Sequence, residues 1–239
     1  MPISKTDFVR GLQCEKMLWL DAHAPEHRII PPEVQAKLDA GNDFGDKAMG
    51  VFGEFTETTC FKADGRMDYA GMLEKTKTLI DEGANVICEA AFTWYGNYCA
   101  ADILKKDGEG YLLYEVKNTY LPRKEFITDL GFQRLILRKN GVNVLRTYLL
   151  LRGDEPPQDF QPSASVTEGE STEILPHDGF LYKAVDVTKA AKTTERIAEK
   201  RIFELGKLKR KDAEMPPLGV GEHCEKPYRC WYYEYCHKQ

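Results

Sequence analysis

One short stretch, Cys99 to Lys117 (CAADILKKDGEGYLLYEVK), combines hard oxygen ligands with an amine. Glu115 and Lys117 stand two apart in the β-favouring run Tyr111–Lys117. A strand therefore puts them on one face, roughly 7 Å apart at about 3.4 Å per residue. Asp102 lies in the preceding run, among Ala100, Ala101, Ile103 and Leu104. Asp107-Gly108-Glu109-Gly110, between the runs, is a hairpin signal. An antiparallel pairing can bring Asp102 beside the other two. Ionised carboxylates on an otherwise apolar strand are costly unless paired or metal-bound. Two readings stay open. One is an ordinary solvated sheet face with an ion pair. The other is a phosphodiesterase site in which carboxylates hold Mg²⁺ or Mn²⁺, the ion acidifies water, and Lys117 stabilises charge on a phosphate.

A second constellation is soft. Of seven cysteines, Cys224, Cys230 and Cys236 make two C-x5-C steps in the tail, flanked by His223 and His237, and Cys14 lies near the other end. Seven is odd, and in a reducing compartment these cysteines read as thiols or metal ligands, not disulfides. Structural zinc sites favour C-x2-4-C, yet the flanking histidines keep zinc open. Three tail cysteines need a fourth ligand, for which Cys14 is the natural choice. Four thiolates suit a [4Fe–4S] cluster. Cys60, Cys88 and Cys99 sit in apolar or strand-like settings and read as buried thiols.

The elements that must position these residues follow from pattern. With 239 residues, the chain can build one sizeable core with a small appended subdomain. We read it as a single unit: residues 1–85 a helical part with the first cysteine, 86–187 the core, 188–239 a long helix and the tail. Ser4, with Asp7 three later, caps a first helix. Its apolar side is Phe8, Val9, Leu12, Met17, Leu18 and Trp19. A second helix starts at Pro31-Pro32 and runs to about Met49. Its Gly41 and Gly45 suggest close packing against another backbone. A third spans Asp68 to Asp81 and stops at Gly83. Strands are expected at Val86–Trp94, with Glu89 in its midst, at Tyr98–Leu104 and at Tyr111–Lys117. A helix then runs from Arg123 or Phe126 to Asn140, carrying Gln133, and a strand covers Val144–Leu151. Arg152–Asp178 reads as an exposed loop, Phe180–Val187 as a strand and Thr188–Lys211 as a long helix. The basic end of that helix, Lys207 to Lys211, complements the helix dipole or touches a DNA backbone. The expected class is α/β (α+β), a mixed central sheet flanked by helices.

The net charge is −5, so nucleic-acid binding would rest on local patches or metal. Met1–Cys14 lacks the apolar segment of a signal peptide, and no apolar run approaches the roughly 18 residues of a membrane span. We expect a cytoplasmic protein with no membrane partner.

Asp102, the Glu115-Val116-Lys117 motif and the split cysteines together resemble the RecB-like iron–sulfur nucleases of the PD-(D/E)XK superfamily. These include CRISPR-associated exonucleases and AddB-type repair nucleases. The β-β-β-α-β order expected for 86–151 is similar to their core, and the cysteine arrangement extends the resemblance from end to end. The resemblance implies that Asp102 and Glu115 bind Mg²⁺ or Mn²⁺, Lys117 assists attack, and Gln133 lies near the site. It also implies that Cys14, Cys224, Cys230 and Cys236 hold a structural [4Fe–4S] cluster. Three features depart from the pattern. Relatives carry a Tyr where Leu137 stands, a His where Gly45 stands, and usually C-x2-C in the tail. Glu89 is the best replacement metal ligand for the missing His, ahead of Asp43 and Asp46; an exposed position on the helix remains the alternative for Gln133. The implied function is an exonuclease on single-stranded or frayed DNA ends. The alternatives are a DNA-binding subunit that hands ends to an integrase or helicase partner, and a zinc-stabilised adaptor.

Overall fold

Ser4 opens the chain's first helix with the reciprocal cap its sequence signals: Asp7 N–H donates to Ser4 Oγ at 3.2 Å, and Ser4 N–H to Asp7 Oδ2 at 2.9 Å. The structure is a computed structural model that describes residues 1–159 and 170–238. Its elements in order are α1 (Lys5–Gln13), α2 (Glu15–His23), α3 (Pro32–Ala48), β1 (Thr56–Glu57), α4 (Tyr69–Asp81), β2 (Val86–Trp94), β3 (Asn97–Asp107), β4 (Gly110–Val116), α5 (Lys124–Lys139), β5 (Val144–Arg152), β6 (Glu170–His177), β7 (Phe180–Asp186), α6 (Thr188–Lys207) and α7 (Tyr233–His237).

One seven-stranded mixed sheet runs β1-β2-β3-β4-β5-β7-β6. β2, β3 and β4 are an antiparallel meander, and α5 carries the chain to β5, which pairs parallel to β4. Both outer hairpins turn through two left-handed residues: Tyr95-Gly96 at φ 51° and 79°, and Asp178-Gly179 at 46° and 78°. That geometry matches the twist of paired strands. Helices cover both faces. Phe8, Leu18, Phe132, Leu135 and Ile202 of α1, α2, α5 and α6 pack on Ile87, Leu104, Leu113 and Leu149. Phe44 and Ala48 of α3 pack on Val86, Cys88, Ile103, Tyr114 and Tyr182 across the sheet. α5 and α6 touch backbone to backbone. A Cβ on Gly131 would fall 2.6 Å from the Thr194 carbonyl carbon, so only glycine fits there. Glu195 of α6 accepts from Arg134 at 3.1 Å and Arg138 at 2.5 Å.

Five expectations need correction. The first helix is two helices, because Cys14 is extended (φ −159°) and ends α1 while its carbonyl starts α2. The break lets Phe8 and Leu18 face the sheet while Met17 and Leu20 face the tail. Gly41 and Gly45 pack against no backbone: an added Cβ would meet nothing within 4 Å at either. Within Arg152–Asp178, residues 170–177 form the edge strand β6. Its Pro176 and acidic residues suit a sheet edge and read as loop chemistry. Residues 160–169 of that stretch lie outside the described residues. The long helix ends at Lys207, and Lys209 just beyond it pairs with Asp7 at 2.8 Å. Cys60 is half-buried where a buried thiol was expected. Among the described residues, no helix is long and apolar enough to cross a membrane.

Candidate active site

Side chains should alternate faces along a strand, and here two neighbouring strands break the rule at the same place. On β2, Val86 and Cys88 face α3 and Ile87 faces α5, but Ala90 and Phe92 then face α5 as well. The slip falls at Glu89, whose φ of 54° is left-handed. On β3, Leu104 and Ile103 alternate, yet Ala101 and Cys99 lie on the α5 side with Leu104. That slip falls at Asp102, which stands across from Glu89 between the pairs Cys88↔Ile103 and Ala90↔Ala101. A left-handed non-glycine residue costs on the order of 1–3 kcal/mol and persists only where its surroundings over-determine it. Here Thr58 Oγ1 donates to the Glu89 carbonyl at 2.5 Å, and Thr76 Oγ1 accepts from Ala91 N–H at 2.8 Å.

The β3–β4 ladder stops at Ile103↔Tyr114. Beyond it, Asp102 Oδ2 accepts from Val116 N–H at 2.8 Å, so the carboxylate occupies the fork between the strands. Glu115, next along β4, is fully buried. It accepts from Gln133 Nε2 at 2.6 Å and from Lys117 Nζ in a close ion pair. Gln133 is buried too, which removes the exposed alternative, and it also donates to Asp129 Oδ1 at 3.0 Å. Lys117 Nζ lies 3.7 Å from Asp129 Oδ2. The structure thus brings Asp102, Glu115, Lys117 and Gln133 together, with Glu89 on the adjoining strand. Asp46 of α3 lines the same cleft, while Asp43, also on α3, is not part of its lining and pairs with Lys47 at 3.2 Å.

Two residues escaped the sequence reading. Asp129 sits four before Gln133 on α5, and i,i+4 spacing on one helix face was the available signal. Lys5 has no local signal. Its Nζ is 3.4 Å from Asp102 Oδ1 and from both Glu115 oxygens. It arrives because α1 docks on α5 through Phe8, whose ring lies 5.2 Å from that of Phe132.

Four carboxylates share this space with two ammonium groups. Burial, then the Asp102 charge, pushes Glu89 up to about 7. Burial, then Glu115, pushes Asp129 up to about 6 and also raises Asp102. Burial works against ionised Glu115 as well, but Lys117 and Lys5 outweigh it and hold its carboxyl below the usual range. Burial likewise opposes charge on Lys5 and Lys117, and the carboxylates more than offset it. Among the described residues, no hydrogen bond or ion pair reaches the Glu89 carboxylate. The site opens into a cleft of about 820 Å³ below α3, lined also by Gly41, Gly45, Lys37 and Arg123. Its donors are hard oxygens under a surplus of negative charge, which fits Mg²⁺ or Mn²⁺.

The four cysteines at the chain ends also converge. Cys14, Cys224, Cys230 and Cys236 line one small pocket with Met17 and His223, all as free thiols. Burial raises Cys14 and Cys236 and pushes Cys230 up to about 11. The tail is tied to the first two helices. Gln13 Nε2 donates to the His223 and Tyr228 carbonyls at 3.0 Å, Trp19 Nε1 to the Ala213 carbonyl at 2.8 Å, and Tyr232 Oη to Asp21 Oδ1 at 2.8 Å. A four-thiolate set fits iron–sulfur or zinc. The pocket they line is tight, at about 10 Å³. Among the described residues, no group of three or more His, Cys, Asp or Glu is arranged to hold a metal ion as it stands. At the sheet site Lys5 stands between the carboxylates. No protein-family model matches the chain, and no curated protein matches its sequence.

Proposed function

We propose that this chain is a metal-dependent DNA nuclease of the PD-(D/E)XK type, acting as an exonuclease on single-stranded or frayed ends. The observation that carries the reading is the convergence of Glu89, Asp102, Glu115 and Lys117 on one cleft, with the backbone left-handed at Glu89. Strain concentrated beside ionisable groups marks functional sites more often than structural ones. The β-β-β-α-β order from β2 to β5 supports it.

Asp102, Glu115 and Glu89 would hold Mg²⁺ or Mn²⁺, which supplies Lewis-acid charge and lowers the pKa of bound water. The protein's own groups do the rest. Val116 N–H fixes Asp102, and Gln133 fixes Glu115 against Asp129. Lys117 is more than a quarter exposed at the cleft and can donate to a phosphate oxygen as charge builds there. Lys37 and Arg123 on the cleft walls offer positive charge to neighbouring phosphates. Cys14, Cys224, Cys230 and Cys236 would hold a [4Fe–4S] cluster that joins the tail to the helices, a structural role.

Two observations favour a second reading, a DNA-binding subunit serving an integrase or helicase partner. Lys5 lies between the carboxylates, and Gly45 brings no ligand to the cleft. The two readings separate in one experiment: end-labelled single-stranded, flapped and duplex DNA with Mg²⁺, Mn²⁺ or chelator. Nucleotide release that needs the metal supports the nuclease. Binding that persists in chelator, with no release under any metal, supports the subunit.

A further inference from the structure

Lys5 is placed with unusual symmetry. Its ammonium stands 3.4 Å from three carboxylate oxygens, one of Asp102 and both of Glu115. Each distance is at the long edge of hydrogen bonding, so the group is centred between the acids instead of bonded to one. Neither acid depends on it for position. Asp102 is fixed by Val116 N–H at 2.8 Å and Glu115 by Gln133 at 2.6 Å and by Lys117. Lys5 itself is fixed at its root, since it follows the capped Ser4 and precedes buried Phe8 by one turn. Its side chain stays 25% exposed on the cleft side, so its end has somewhere to go. Asp102 and Glu115 are the residues that would hold Mg²⁺ or Mn²⁺, and the Lys5 ammonium now stands between them.

We propose that Lys5 is a built-in counter-ion of the candidate active site: a divalent ion must displace its ammonium from between Asp102 and Glu115, so Lys5 sets how much metal the site requires. The inference rests on the nuclease reading for the identity of the ion, and not for the competition itself. It makes Lys5 a residue that tunes metal occupancy, distinct from Lys117, which stays paired with Glu115 and Asp129.

The test is Mn²⁺ binding by titration calorimetry on metal-free protein, alongside cleavage of single-stranded DNA across Mn²⁺ concentrations. Lys5→Met and Lys5→Gln should each bind Mn²⁺ about tenfold more tightly than wild type, as expected when a like charge leaves a low-dielectric site. Half-maximal cleavage should move to lower Mn²⁺ by a similar factor. Lys5→Arg keeps the charge and should stay near wild type. Unchanged or weaker Mn²⁺ binding in both neutral variants, with wild-type melting curves, would overturn the proposal and leave Lys5 a structural ion pair. If the affinity gain appears but no variant releases nucleotides, the counter-ion role stands and the nuclease reading falls.

Discussion

Glu115 meets its partners from within a regular strand, while Cys230 meets its own from a tail whose elements are a three-residue 3-10 turn and the five-residue α7. At the sheet site, Glu115 already has partners inside the protein: Lys117, Lys5 and Gln133 surround it. At the tail, four thiols line one pocket, and burial raises Cys14, Cys230 and Cys236. Hard donors can be pre-organised by strand geometry because neighbouring amines and amides satisfy them. The tail thiols have weaker partners: Tyr232 N–H donates to Cys230 Sγ at 3.4 Å, and Cys224 Sγ lies 3.7 Å from His223 Nε2. α1 serves both regions. It carries Lys5 into the carboxylates at its start and hands over to Cys14 at its end.

The sharpest way to break this contrast is at the tail. Cys230→Ala should lower the iron content of anaerobically purified protein from about four atoms per chain to near zero. It should also open the tail to protease after Pro217. Lys117→Ala should leave both unchanged. One zinc per chain after anaerobic reconstitution would replace the cluster with a zinc site.

A smaller effect is expected from adding a ligand at the sheet site. Gly45 lines the cleft, and a Cβ there meets nothing within 4 Å. Gly45→His should therefore fit, and should lower the Mn²⁺ needed for half-maximal cleavage by about tenfold, the scale on which single supporting groups alter metal affinity. An unchanged requirement would mean that α3 holds residue 45 too far from Asp102 and Glu89.

The smallest effect is a slope. Glu89, near 7, and Asp129, near 6, keep protons in the folded state that the unfolded chain releases close to 4.5 and 3.8. The folded state binds more protons across that window, so stability of metal-free protein should fall as pH rises from about 4 to 7. Glu115, held low, works oppositely and withdraws stability as pH falls below 4.5. Thermal melting against pH should show the decline, and Glu89→Gln should flatten its upper part. A flat profile in the wild type would mean that Glu89 is ordinarily ionised.

What could be read from the chain follows the same division. Glu115 and Lys117 are legible because a two-residue step along one strand is local, and Asp102 because the hairpin turn folds its strand back beside them, whereas the slip in alternation at Asp102 is not legible. Gln133 was legible as a helix position, but its burial was not. The cysteines could be paired by number and not by place. Glu89 was placed on the right strand, yet its left-handed backbone was invisible, since it depends on Thr58 gripping its carbonyl from another segment. Nothing in the sequence around Lys5 signals the site. The role of Lys5 comes from Phe8 docking on Phe132, a contact that no pattern within α1 encodes. β6 was lost because an edge strand rich in acids and proline shares its composition with loops.

The most direct test of the central claim compares wild type, Lys117→Ala and Asp102→Ala on labelled single-stranded, flapped and duplex DNA, with millimolar Mn²⁺ and cluster-loaded protein. The expected result is Mn²⁺-dependent release by wild type and a rate about 10²–10³-fold lower for Lys117→Ala, with DNA binding retained. Asp102→Ala should lose both the activity and its metal dependence. Equal background cleavage by all three proteins on every substrate would contradict the nuclease assignment.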